Sequence, residues 1–131
     1  MASARVDSFT HLVQKLAAWN LLCPQIPTFD GNNIWVPNYS SNSVSVVRAS
    51  TGAVLATLTG NGLIGTPGAA AFDGQRVLVT NTDNQVSLWK AADLTALGFL
   101  STGPGTGPTF ACSDGINFWI VLLGTKMLAR L

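Results

Sequence analysis

The chain contains no glutamate; all six of its acids are aspartates. It has a single histidine, His11, and charged residues make up only 10% of the sequence. General acid–base pairs, Ser-His-Asp triads and zinc sites all draw on His, Glu or Cys. With those residue types this scarce, one chain lacks the material for most such chemistry. Seven Lys and Arg against six Asp leave a formal charge of +1. That is no basic surplus to neutralise a phosphate backbone, so no nucleic-acid partner is expected. Low charge combined with 47% hydrophobic residues also excludes a disordered class. Cys23 and Cys112 fit neither a disulfide scaffold nor a zinc site. Their apolar neighbours predict buried free thiols. No apolar run approaches the roughly 20 residues of a spanning helix, so no membrane partner is expected. Asp7, His11, Gln14 and Lys15 interrupt the N-terminal stretch, which therefore does not read as a secretory signal. The chain as written is expected to be cytoplasmic, and extracytoplasmic only if it is a fragment of an exported protein.

With 131 residues, one domain with a real core is the default. Residues 1–24 are predicted to form an N-terminal segment whose helix runs over 6–22. Asp7 or Ser8 would cap it, and Val6, Phe9, Val13, Leu16 and Ala17 follow helical spacing. Pro24 and Pro27 end the pattern. Such a helix packs on its own domain or serves as a docking or oligomer helix. From residue 25 the texture changes to short apolar runs separated by Gly, Asn, Ser, Asp and Thr, an all-β signature.

An internal repeat is visible there. Phe29-Asp30-Gly31 recurs as Phe72-Asp73-Gly74 and again as Ser113-Asp114-Gly115, a period in the low forties. Ile34-Trp35-Val36-Pro37-Asn38 aligns with Val77-Leu78-Val79-Thr80-Asn81, and Phe118-Trp119-Ile120 is the third copy. Asn42-Ser43-Val44-Ser45-Val46 aligns with Asn84-Gln85-Val86-Ser87-Leu88. Four short strands per period of this length indicate propeller blades. Strands are predicted near 26–30, 33–38, 43–48 and 53–59, then 68–73, 76–81, 85–90 and 96–101. The third set lies near 109–113, 117–122 and 126–131. The blades would thus occupy about 25–65, 66–107 and 108–131. In the third strands, Val44, Val46, Val86 and Leu88 are expected on a buried face, with Ser43, Ser45 and Ser87 on a wetter one.

The run Val77-Leu78-Val79-Thr80-Asn81, with the Phe-Asp-Gly turns, resembles the YVTN and NHL-type β-propeller repeats found in strings in many bacterial proteins. The resemblance covers about 26–131 and implies a fold: all-β, a partial propeller of about three four-stranded blades, the last incomplete, plus the N-terminal helix. It implies little about activity, because propellers host enzymes and passive binders alike. Propeller enzymes of related appearance, such as streptogramin lyases, depend on His and Glu, which these repeats lack. The third copy departs from the pattern, with Leu122 where Asn38 and Asn81 stand and Gly124-Thr125-Lys126 in place of an Asn-bounded turn.

Rings usually hold about four to eight blades, so three leave apolar faces open. Three resolutions follow. Two chains close a six-bladed ring, the helix covers the open face or stands in for the absent fourth strand, or the chain is a piece of a longer propeller. A homo-oligomer, a dimer first, is expected.

Each chemical motif also has a plain structural reading. Asp30, Asp73 and Asp114 could ring a cation, but Asp-Gly between two strands is a hairpin-turn signal. Gly60-Asn61-Gly62-Leu63-Ile64-Gly65 matches a dinucleotide fingerprint literally, yet no helix follows to hold a pyrophosphate. It reads as the first interblade link, and residues 103–108 as the second. Asn38, Asn42, Asn81 and Asn84 bracket turns. Trp35, Trp89 and Trp119 are expected to pack between blades, and Arg48, Arg76, Lys90, Lys126 and Arg130 to solubilise strand ends. No catalytic, cofactor-binding or metal residue is assigned, and no cofactor is expected. The function read from the sequence is a non-enzymatic binding or scaffold module. Protein or carbohydrate would meet the turns 38–42 and 81–84 or the links. The alternatives are a fragment without independent activity and an enzyme whose site forms between chains.

Overall fold

Asp30-Gly31, Asp73-Gly74 and Asp114-Gly115 each open a hairpin. The glycines take φ of +99°, +105° and +93°, a region that L side chains rarely enter. The computed structural model describes residues 21–131. Among these residues, eleven strands form three antiparallel sheets. Sheet one holds β1 (Thr28–Phe29), β2 (Asn33–Asn38), β3 (Ser43–Arg48) and β4 (Val54–Leu58) in sequential order. Sheet two repeats this with β5 (Pro67–Phe72), β6 (Arg76–Asn81), β7 (Gln85–Lys90) and β8 (Ala96–Ser101). Sheet three has β9 (Pro108–Ser113), β10 (Phe118–Leu122) and β11 (Met127–Arg130). The first strands lie innermost, β1 beside β5 and β5 beside β9. The architecture is all-β and propeller-like.

β2, β3, β6, β7 and β8 occupy the spans read from the sequence. β1 is shorter than expected, because Pro24 and Pro27 supply no N–H to a ladder. Ile26 instead makes a parallel bridge to Ala69, donating to Gly68 O and accepting from Ala70 N–H. That bridge ties the inner strands of sheets one and two. The predicted helix over 6–22 lies outside the described residues except for Leu21 and Leu22, which are not helical. Leu22 and Cys23 carbonyls accept from the N–H groups of Ser40 and Tyr39.

Two cores fill the gaps between sheets. Trp35, Val44 and Val46 from sheet one meet Ala70, Val77, Val79 and Trp89 from sheet two. The Trp35 and Trp89 rings lie 6.3 Å apart at 49°, a tilted aromatic pair between sheets as expected. Between sheets two and three, Ala71, Leu78, Val86 and Leu88 meet Phe118, Ile120 and Leu122. Alternation along the strands of sheet two thus sends successive residues to opposite gaps, whereas sheets one and three each have one face outside both.

The wetter face expected of the third strands does not exist. Ser43, Ser45 and Ser87 are buried. Their hydroxyls accept from the buried amides at the ends of β2 and β6. Asn38 Nδ2 donates to Ser43 Oγ (3.2 Å) and Ser45 Oγ (3.0 Å), and Asn81 Nδ2 donates to Ser87 Oγ (2.9 Å). Asn38 and Asn81 are therefore strand residues that clip β2 to β3 and β6 to β7, not turn residues. Sheet three uses an apolar version, with buried Leu122 and partly buried Ala129 in the corresponding places. Asn81→Ala should accordingly cost about 1–3 kcal/mol in urea unfolding, because it leaves the Ser87 hydroxyl buried and unpaired. Adding Ser87→Ala to Asn81→Leu copies the solution of sheet three and should recover most of that loss. A double variant worse than Asn81→Ala would show that the clip is not interchangeable.

Candidate functional site

The three Asp-Gly turns share one piece of chemistry. Asp30 Oδ1 accepts from the N–H groups of Asn32 (2.9 Å) and Asn33 (2.7 Å), while Oδ2 accepts from Trp35 Nε1–H (2.7 Å). Asp114 repeats this with Ile116 (2.9 Å), Asn117 (2.8 Å) and Trp119 Nε1–H (2.9 Å). In sheet two, Asp73 accepts from Gln75 and Arg76 N–H, and the Arg76 guanidinium takes the tryptophan's place at 2.7 Å. That guanidinium also sits 5.3 Å from the Phe118 ring centroid, so Arg76 joins sheet two to sheet three instead of only solubilising a strand end. The carboxylates are spent on turns. Among the described residues no group of three or more His, Cys, Asp or Glu is placed to hold a metal ion.

These donors act on the carboxyl groups. The Asn117 N–H, the Trp119 indole and the Ile116 N–H hold Asp114 well below the ordinary carboxylate range. At Asp73 burial opposes ionisation, but the N–H groups of Arg76 and Gln75 and the Arg76 guanidinium outweigh it and lower the pKa. A carboxyl with a depressed folded pKa contributes stability that is present above its unfolded pKa and lost as pH falls toward the folded one. Unfolding stability should therefore stay level down to about pH 5 and fall below about pH 4. Asp73→Asn should flatten that acid limb in a pH series of urea melts. An unchanged limb would show that other groups govern it.

Asn42 and Asn84 do adopt turn conformations, with φ of +48° and +68°. Their side chains reach onward to the next link. Asn42 Oδ1 accepts from Thr66 N–H (3.1 Å), and Asn84 Oδ1 accepts from Gly107 N–H (3.1 Å). In sheet three Lys126 takes φ of +57° at the corresponding place, which settles the path of the last hairpin. Turns 38–42 and 81–84 and the links 60–67 and 103–108 therefore gather on one rim. The Gly60–Gly65 segment is turn and coil with no helix after it, as the link reading requires.

Concavity lies on the opposite rim. A cleft of about 630 Å³ opens between sheets one and two, lined by Asp30, Asn32, Phe72, Gln75, Arg76 and Lys90 among others. Sequence reading did not point to it, because its walls come from turns a full repeat apart. It also missed a feature of the links. Pro24, Pro67 and Pro108 stand at the same distance before Asp30, Asp73 and Asp114, and the residue before each proline has positive φ: Cys23, Thr66 and Gly107. The proline spacing was the available signal.

The cysteines correct another expectation. Both are free, and both are exposed. Cys23 sits in the left-handed position of a link, and Cys112 lies on the outer face of sheet three. Cys112 shares that face with Phe110, Trp119, Val121, Leu128 and Arg130. Trp119 is half-buried and packs under Arg130, whose guanidinium carbon lies 5.9 Å from the ring centroid. Phe110 is 48% exposed and Leu128 61%.

Fold and rim geometry together define a propeller-like β protein. No protein-family model matches the chain. No curated protein matches it either. Among solved structures, hydrazine synthase from Kuenenia stuttgartiensis is similar in fold, with a TM-score of 0.65 and 23% identity over 82% of this chain and 32% of that one. The chain thus spans about a third of the length of that similar chain.

Proposed function

We propose that the chain is a non-enzymatic binding or scaffold module of YVTN/NHL-type propeller blades, and that it self-associates so that two chains complete one ring. The observation that carries this reading is the outer face of sheet three, where Phe110, Trp119, Val121 and Leu128 are left partly or largely open. Apolar surface of this kind on a blade end marks an interaction site. The engagement of Asp30, Asp73 and Asp114 in turns supports the non-enzymatic part. In this reading the blades are a rigid frame, and the rim of Asn-bounded turns and links meets a protein or carbohydrate ligand. Light scattering on a sizing column over a dilution series tests the association. Twice the chain mass is expected, and a monomer at every concentration would overturn it.

A second reading is favoured by the coverage of the similar solved chain, of which this one spans 32%. There the three blades are one sector of a longer propeller, and the same face meets a further blade of that chain. A genomic frame that continues past Leu131 with blade-like repeats would support it.

A further inference from the structure

Two neighbouring Asp-Gly turns present uncommitted side-chain amides to one cleft. The backbone N–H groups of Asn32 (2.9 Å), Asn33 (2.7 Å) and Gln75 (2.9 Å) donate to the turn carboxylates. Their side-chain amides have no hydrogen-bond partner among the described residues. All three residues line the cleft of about 630 Å³ between sheets one and two. Half-buried Phe72 and exposed Leu97 give it an apolar wall. Lys90, the cross-strand partner of Arg76, gives it a cation. That ammonium is exposed and lies 3.8 Å from Asp93, a contact too open to water to hold it. The other charges on the wall are engaged. Asp30 accepts from two backbone N–H groups and the Trp35 indole, and Arg76 pairs with Asp73. The next cleft along the repeat lacks these parts. Between sheets two and three, Ser113 stands where Phe72 does, Ile116 where Gln75 does and Arg76 where Asn33 does. The Arg76 guanidinium reaches across that gap to Phe118, and the concavity that remains is about 450 Å³.

We propose that the cleft between sheets one and two binds an acidic sugar, a pyranose ring that carries one carboxylate. Each side-chain amide both donates and accepts, which matches hydroxyl groups that do the same. Phe72 and Leu97 cover the apolar C–H face of the ring. Lys90 supplies a charge-assisted bond to the carboxylate, and the one carboxylate lining the cleft, Asp30, already holds its donors. The volume lies in the usual range of small-molecule sites, about 300–1,000 Å³. The site is on the rim opposite the Asn-bounded turns and links, and it does not depend on self-association.

Titration of the isotope-labelled protein with galacturonate, glucuronate and trigalacturonate, followed by NMR, tests this, with glucose as the neutral control. The side-chain amide signals of Asn32, Asn33 and Gln75 should shift and saturate with at least one of the acidic sugars, with a Kd of about 1 mM or tighter. Glucose should bind about 10-fold more weakly, because it offers Lys90 no carboxylate. Lys90→Gln and Gln75→Ala replace exposed side chains and should leave the urea midpoint unchanged. Lys90→Gln should weaken the acidic sugar about 10-fold and leave glucose as it was, while Gln75→Ala should weaken both. Trigalacturonate tighter than galacturonate assigns the site to a polysaccharide, and equal affinities assign it to the free sugar; either supports the proposal. No saturating shift with any of the three acidic sugars would overturn it. So would glucose binding as tightly as the acids with Lys90→Gln silent, or shifts that gather at Asn42 and Asn84 on the other rim.

Discussion

Trp35→Ala is expected to cost about 3–5 kcal/mol in urea unfolding, the range for truncating a large aromatic in a packed core. Trp35 is fully buried, packs against Trp89 and donates to Asp30. Its loss opens a cavity in the gap between sheets one and two and deprives the carboxylate of a donor. Trp119→Ala makes the same chemical change at the corresponding place, with the same bond to an aspartate. Because Trp119 is only half-buried, it should cost about 1 kcal/mol or less in a dilute sample without association. Equal costs at the two positions would contradict the distinction between an occupied and an open face.

The second large effect is expected at Gly124. A Cβ there would overlap the carbonyl oxygen of Gly105, with Thr106 O also crowded at 3.1 Å. The link cannot retreat freely. Gly124 N–H donates to Thr106 O (2.8 Å) and Leu123 N–H donates to Gly107 O (3.2 Å). Gly124→Ala should therefore lose about 1–3 kcal/mol through forced backbone displacement. Thr125→Ala, one residue on and exposed, should stay within about 0.5 kcal/mol of wild type. A neutral Gly124→Ala would show that the last hairpin does not clamp the link.

The Asp-Gly turns and the strands around them were legible, because the turn chemistry is local and repeats in phase. The hydrogen bonds that the indoles of Trp35 and Trp119 donate to the Asp-Gly carboxylates were within reach of the same reasoning, since each tryptophan keeps a constant offset from its aspartate. The Asn–Ser clips were not, because alternating apolar and hydroxyl residues look the same whether the hydroxyls meet water or a neighbouring amide. The thiol of Cys112 was misread because apolar neighbours imply burial only where another sheet covers them, and sheet three has its outer face open. The cleft between sheets one and two is built from residues a repeat apart, and no spacing rule brings Asp30 and Lys90 together.

Cys112 lies on that open face, and its reactivity reports directly on whether the face is covered. In a Cys23→Ser background, where it is the only thiol, its modification by a maleimide can be timed at high and low protein concentration. The account predicts slow modification in the concentrated, associated protein and fast modification on dilution. Equally fast modification at both concentrations would contradict it, because the face of sheet three would then be open in every state of the protein.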